Sequence, residues 1–174
     1  MKGSVFIATS ADGFIARKDG SLDWLEVPEA NEDYGFAGFM DSVDALVMGR
    51  NTYDAIAAMG EWPYGGKPVI VMTSRPLQIP EALTGVVEAS ALAPLEVADE
   101  LDRRGTHHVY VDGGRTIQSF LDAGLVGRMT ITTIPVLLGE GIPLFGAVDG
   151  DVRLRHVDTV SYTNGLVQTT YEVV

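Results

Sequence analysis

The chain has 174 residues, 46% hydrophobic and 21% charged, which suits one globular domain with a sizeable core. Twelve basic against 24 acidic side chains give a formal charge of −12, which argues against nucleic acid and anionic membranes as partners. The absence of cysteine removes disulfides, thiolate catalysis and cysteine zinc sites, the three histidines (His107, His108, His156) are too few and too badly spaced for a metal centre, and with no membrane-spanning run and no signal-peptide pattern the expected location is the cytoplasm.

Ser4 to Ser10 reads as a first strand, Asp12-Gly13 as a turn and Phe14-Ile15-Ala16 as a short apolar return. Arg17 to Asp23 is a polar loop, either plain surface or a lid over a cleft, with Trp24 as its anchor. Asn31 to Val43 reads as a helix, with Phe36, Phe39, Met40 and Val43 at helical spacing. Glu32 and Asp33 flank that stripe on opposite sides. Either one turns a carboxylate into a cleft, or both are N-terminal acids favoured by the helix dipole.

Ala45 to Met48 is a buried strand, followed by Gly49-Arg50-Asn51-Thr52 and a helix from Tyr53 to Met59. A glycine, a cation and a hydroxyl at a helix start suit a phosphate. Pro68 to Met72 is a third buried strand. Thr73-Ser74-Arg75-Pro76 then follows with no helix, which suits a terminal phosphate better than a diphosphate. Gly85 to Glu88 is a short strand, and Pro94 to Arg104 a helix with Pro94 in its first turn and Gly105 as its cap.

The stretch from His107 to Leu121 combines strand, turn and helix. His108 to Val111 is β-branched and aromatic. Gly113-Gly114 permits backbone angles closed to other residues and close approach of a ligand. Arg115 opens a helix whose Ile117, Phe120 and Leu121 share one face, ending at Gly124. Arg128 to Leu138 is a long alternating strand, GEGIPLFG a loop, and Val152–Tyr162 and Leu166–Val173 a hairpin closed across Asn164-Gly165.

Strands alternate with helices early and a run of strands closes the chain. This pattern predicts one α/β domain over residues 1–174: a mainly parallel twisted sheet, helices on both faces, and an antiparallel C-terminal edge. Ligands of such sheets sit at the carboxyl ends of the strands, where Arg50, Arg75 and Gly113-Gly114-Arg115 all fall. The G-x-G-x-x-G dinucleotide pattern is absent.

In order and spacing, the chain resembles the dihydrofolate reductase fold. More narrowly, it resembles the reductase family related to the C-terminal domain of the bacterial riboflavin-biosynthesis deaminase/reductase. The carriers are Ala8, Asp12-Gly13-Phe14-Ile15, Val47-Met48-Gly49-Arg50 with Thr52-Tyr53, Thr73-Ser74-Arg75, Val111 to Arg115, and Gly139 to Phe145. The resemblance implies an eight-stranded sheet with about four helices, and NADPH as cofactor. By the same resemblance Ala8, Ile15 and Ala16 flank the nicotinamide, Gly49, Arg50 and Thr52 meet the diphosphate, and Thr73, Ser74 and Arg75 take the 2′-phosphate. Gly113, Gly114, Arg115, Thr116 and Ile117 cross the diphosphate and nicotinamide side, with a cis bond expected at Gly113–Gly114. Asp33 falls at the active-site carboxylate and Thr132 at its supporting threonine. Partial burial is expected to raise the pKa of Asp33 and make it a proton relay.

Three departures bear on the substrate. Tyr64-Gly65-Gly66-Lys67 lacks the arginine that clamps a folate tail. Asp112 stands where dihydrofolate reductase often has glycine. The deaminase domain is missing, and a phosphoribosyl group has only Arg17, Lys18, Lys67 and Arg128 left to hold it. The expected function is therefore an NADPH-dependent reductase of a small heterocyclic or carbonyl compound, and a homodimer by family analogy. The alternatives are 5-amino-6-(5-phosphoribosylamino)uracil reductase of riboflavin biosynthesis, or an NADP-binding protein without turnover.

Overall fold

A computed structural model describes residues 1–26, 33–148 and 150–174. In chain order the strands and α-helices are β1 (Lys2–Ser10), β2 (Phe14–Ala16), α1 (Phe36–Ser42), β3 (Ala45–Gly49), α2 (Arg50–Ala57), β4 (Val69–Met72) and β5 (Val87–Ser90). They continue as α3 (Pro94–Arg103), β6 (His108–Asp112), α4 (Gly114–Asp122), β7 (Val126–Ile134), β8 (Ile142–Pro143), β9 (Leu154–Ser161) and β10 (Val167–Val173). Eight strands form one sheet in the order β5-β4-β3-β6-β1-β7-β10-β9. All neighbours are parallel up to β7, and β10 and β9 add the antiparallel edge. The fold is the α/β architecture expected.

Because side chains alternate along a strand, each central strand divides its residues between two cores. Ala45 and Val47 point to the layer formed with Val97 and Leu101 of α3 and Ile117 and Phe120 of α4. Leu46 and Met48 point the other way, towards Met40 of α1 and Tyr53 of α2. Burying both faces explains why β3, β4 and β6 read as unbroken apolar runs. A smaller cluster of Trp24, Ile134 and Leu166 fills the space at the end of β7.

Three local differences have physical causes. α1 starts at Phe36 rather than Asn31, because Tyr34 (φ 53°) and Gly35 (φ 84°) are left-handed and cannot continue a helix backwards. Residues 31 and 32 lie outside the described residues. α2 begins three residues earlier than expected, with Arg50 already helical. The GEGIPLFG segment is not wholly loop: β8 pairs with β2 in a second, two-stranded sheet. Asp12 holds that segment in place, its carboxylate accepting the N–H groups of Leu138 and Gly139 at 3.1 and 2.7 Å.

Candidate active site

The carboxyl ends of β3 and β6 converge so tightly that no side chain fits between them. A Cβ on Gly113 would collide with Thr52 Oγ1, and one on Gly49 would lie 3.0 Å from Thr116 Oγ1. A Cβ on Gly114 would lie 3.0 Å from Ile15 Cδ1 and 3.2 Å from the Pro143 carbonyl oxygen. Gly49, Thr52, Gly113, Gly114, Thr116 and Ile15 thus form one glycine-lined cradle from three separate segments. Gly113 makes the turn with φ +88°, open to glycine alone at little cost. All described peptide bonds are trans, so the cis bond expected at Gly113–Gly114 is corrected; the positive φ of Gly113 turns the chain without it.

The first turn of α4 leaves the N–H groups of Gly114, Arg115 and Thr116 without helical partners, whereas that of Ile117 donates to the Gly113 carbonyl at 2.8 Å. Two of the expected cofactor residues are differently placed. Ile117 is wholly buried in the core beneath α4 and presents no side chain to the cradle. Arg50 donates from Nε to both Asp54 carboxylate oxygens at 2.8 Å and from Nη1 to the Pro76 carbonyl at 2.9 Å. It therefore ties α2 to the segment after β4 before it meets any ligand. The i,i+4 spacing of Arg50 and Asp54 was the available sequence signal.

That tie positions the neighbouring Thr73-Ser74-Arg75 turn. Thr73 Oγ1 accepts the Arg75 N–H at 3.1 Å, leaving the Ser74 and Arg75 side chains exposed. No ion pair holds Arg75 among the described residues. Ala8 lies on β1, paired with Thr132 on β7 and packed against the Trp24 cluster, whereas Ile15 and Ala16 lie on β2, with Ala16 buried and Ile15 packed against the α3–α4 core.

The carboxylates are arranged differently from expectation. Asp33 is exposed, and it caps the start of α1, accepting the N–H groups of Ala37 at 2.8 Å and Gly35 at 3.0 Å. Those two bonds hold its carboxyl below the usual carboxylate range, which corrects the expected rise. Thr132 is buried, but its hydroxyl takes the Gln168 amide at 2.9 Å and shows no bond to Asp33. Glu32 lies outside the described residues.

The residue that sequence reasoning underrated is Asp112, last in β6 and immediately before the cradle. It shares the strand face of Tyr110, beside the buried Tyr64. Burial pushes its carboxyl up to about 6, against the opposing Gly113 N–H at 2.8 Å. The alternation His108, Tyr110, Asp112 was the signal that placed it on a buried face.

Most other basic candidates are already engaged. Arg17 pairs with Asp23 at 2.7 and 3.1 Å, closing the loop that was read as surface or lid, and Lys18 pairs with Glu140 at 2.5 Å. Trp24 anchors the loop's far end in the core. Lys67 donates to the Val43 carbonyl at 2.7 Å.

A mainly parallel sheet with this glycine cradle at its carboxyl edge defines a protein of the dihydrofolate reductase-like fold. The Enterococcus faecalis dihydrofolate reductase, solved in complex with NADP(H), superposes with a TM-score of 0.67 at 23% identity, covering 99% of this chain and 96% of that one. The chain belongs to the RibD C-terminal domain family, whose model matches residues 2–168. A Shewanella sp. PV-4 protein named for riboflavin biosynthesis is similar in structure at a TM-score of 0.91 and 41% identity, covering 100% of this chain and 99% of that one. Dihydrofolate reductase HdrB of Haloferax volcanii is 34% identical over 127 residues, covering 70% of this chain and 62% of that protein. Among the described residues, no helix is long and apolar enough to cross a membrane.

Proposed function

We propose that the protein is an NADPH-dependent reductase of a small heterocyclic or carbonyl compound. The observation that carries this reading is the glycine turn before α4, packed tightly on Thr52 and Thr116, which fixes the free N–H groups of Gly114, Arg115 and Thr116 at the carboxyl edge of the sheet, an arrangement suited to phosphates. The NADP(H) complex of the Enterococcus relative supports the cofactor. When bound, NADPH supplies the hydride.

The chain's own residues have four roles in this reading. The free N–H groups of Gly114 to Thr116 and the start of α2 hold the diphosphate. Ser74 and Arg75 hold the 2′-phosphate through charge-assisted bonds. Ala8, Ile15 and Ala16 give the nicotinamide an apolar seat that excludes water. Asp112, half-buried at the end of β6 and with its proton affinity raised by burial, protonates the substrate heteroatom; this role passes to it from Asp33, which caps α1. Thr132 orients the wall opposite, through Gln168.

The same reading takes the chain as a homodimer. Among the described residues β9 has no partner on its outer edge, and Leu154, Val157 and Val160 are each about 40% exposed along it. Sedimentation at micromolar concentration checks this, a monomer being the contrary result. NADPH consumption across a panel of heterocyclic and carbonyl substrates, set against cofactor binding alone, tests the reductase reading. Tight binding without turnover on any of them identifies an NADP-binding protein instead. Turnover confined to 5-amino-6-(5-phosphoribosylamino)uracil identifies the pyrimidine reductase of riboflavin biosynthesis.

A further inference from the structure

At the opposite end of the sheet, the short helix α1 leaves part of β1, β7 and β10 uncovered. The result is a groove of about 450 Å³. Its floor carries Ser4 and Phe6 of β1, Thr130 of β7 and Thr170 of β10, and its rim is Tyr34-Gly35 and Phe39. Lys2, His108 and Arg128 close one end, at the amino termini of three neighbouring parallel strands. From Lys2 to Ser10 a strand runs roughly 26 Å at about 3.3 Å per residue, so the charged end of the groove is remote from the cofactor edge, while Gln168 at its other end bonds Thr132.

Charge makes the groove unusual. The chain carries −12, and most of its cations are spent on neighbours: Arg17 on Asp23, Lys18 on Glu140, Arg50 on Asp54, Arg104 on Glu88 and Glu100. In the groove the balance reverses, since among the described residues no carboxylate lines it. Lys2 makes no side-chain hydrogen bond or ion pair among the described residues. Arg128 approaches Glu172 only at 4.0 Å, because Arg155 holds the other oxygen of that carboxylate. Two cations with unused donors therefore face one cavity, beside a histidine whose ring nitrogens are fixed by Ser4 and the Ser42 carbonyl, each at 2.7 Å.

The apolar part of the groove is as defined as the charged part. Phe6 and Phe39 stack with ring centroids 5.0 Å apart. Tyr34 is the only non-glycine described residue with positive φ, and it is held there by its neighbours. Its hydroxyl accepts the Asn164 amide at 2.8 Å and its carbonyl accepts the Gln168 amide at 3.1 Å. A strained conformation fixed from two sides is characteristic of a ligand clamp. Thr130 and Thr170, joined at 3.0 Å, supply hydroxyls between the rings and the cations.

We propose that this groove binds a small organic anion, a carboxylate or phosphate ester carried on a flat apolar body, at a site separate from the cofactor edge. The anionic group lies between Lys2 and Arg128, and the body lies along Phe6, Phe39 and Tyr34. The inference stands on the groove alone and does not depend on the reductase reading.

The test is a titration of the full chain with phenyl phosphate, benzoate and inorganic phosphate, followed by the amide resonances of Gly35, Ser42, Thr130 and Thr170. Phenyl phosphate or benzoate is expected to shift these resonances, and whichever binds more tightly identifies the anionic group. Inorganic phosphate is expected to bind at least about tenfold more weakly, for want of the apolar body. The K2Q/R128Q double variant is expected to lose at least about tenfold in affinity for the tighter ligand, the loss of two charge-assisted contacts, while Arg75→Ala at the far edge loses none. The proposal is overturned if neither organic anion shifts these amides, if inorganic phosphate binds as well as they do, if K2Q/R128Q binds like the native chain, or if Arg75→Ala abolishes binding.

Discussion

Replacing Asp112 by asparagine removes a charge that the fold disfavours while keeping an oxygen for the Gly113 N–H. Burial raises the Asp112 carboxyl from an ordinary 3.8 to about 6. A difference of that size corresponds to at most about 3 kcal/mol, at 1.36 kcal/mol for each tenfold change in proton affinity. The sign follows from proton binding: between these two pH values the native state holds the proton more tightly than the unfolded chain. Stability therefore falls as pH rises through this window, and the cost is fully present above pH 6. The asparagine variant escapes the cost. Urea unfolding of both proteins at pH 4, 5, 6 and 7 isolates this effect, because the capping and paired carboxylates elsewhere titrate alike in both and cancel in the difference. The stability advantage of Asp112→Asn is expected to grow from near zero at pH 4 to ~2–3 kcal/mol at pH 7. A difference that does not change with pH would refute the burial argument.

Turnover on an identified substrate separates the two carboxylates: Asp112→Asn is expected to lose roughly 10²–10⁴-fold, whereas Asp33→Asn stays near the native rate. The reverse order returns the proton-donor role to Asp33. The cap that Asp33 gives α1 is present above its ordinary pKa and lost as pH falls through its lowered native value, so the protection of the Ala37 amide, its exchange relative to the intrinsic rate at the same pH, should fall in acid. Dihydrofolate is expected to be a poor substrate, because Lys67 is engaged with Val43 and no arginine stands in Tyr64–Lys67; efficient turnover at micromolar dihydrofolate contradicts this. Gly113→Ala forces a side chain onto a φ of +88° and against Thr52, and is expected to cost about 1–3 kcal/mol in stability and to weaken NADPH binding in the same titration.

The sheet was legible because its signals are local. Apolar runs such as Ala45–Met48 and His108–Val111 mark buried strands, and Asn164-Gly165 marks the hairpin whose Gly165 N–H donates to Tyr162 at 3.0 Å. The cradle was legible for the same reason, since Gly49 and Gly113-Gly114 end their strands. Side-chain commitments were harder to read. A helix-start acid and an active-site acid look alike in sequence, so the capping bonds of Asp33 emerged only from the fold. Ile117 entered the expected site through the family resemblance, and its side chain, on the apolar face of α4, lies in the core. Asp112 was doubted for its charge near an anionic cofactor, a charge that burial itself disfavours by raising the carboxyl to about 6. The groove at the amino ends depends on strand neighbours distant in sequence, His108, Lys2 and Arg128, which only the sheet order brings together.

The most direct measurement is a parallel titration of the native chain and Arg75→Ala with NADPH and NADH. The reductase account predicts that the native chain prefers NADPH by about 1.5–3 kcal/mol, for charge-assisted contacts to the 2′-phosphate. Arg75→Ala should lose most of that preference while binding NADH as before. Equal affinity of the native chain for both cofactors, or a preference that survives Arg75→Ala, contradicts it.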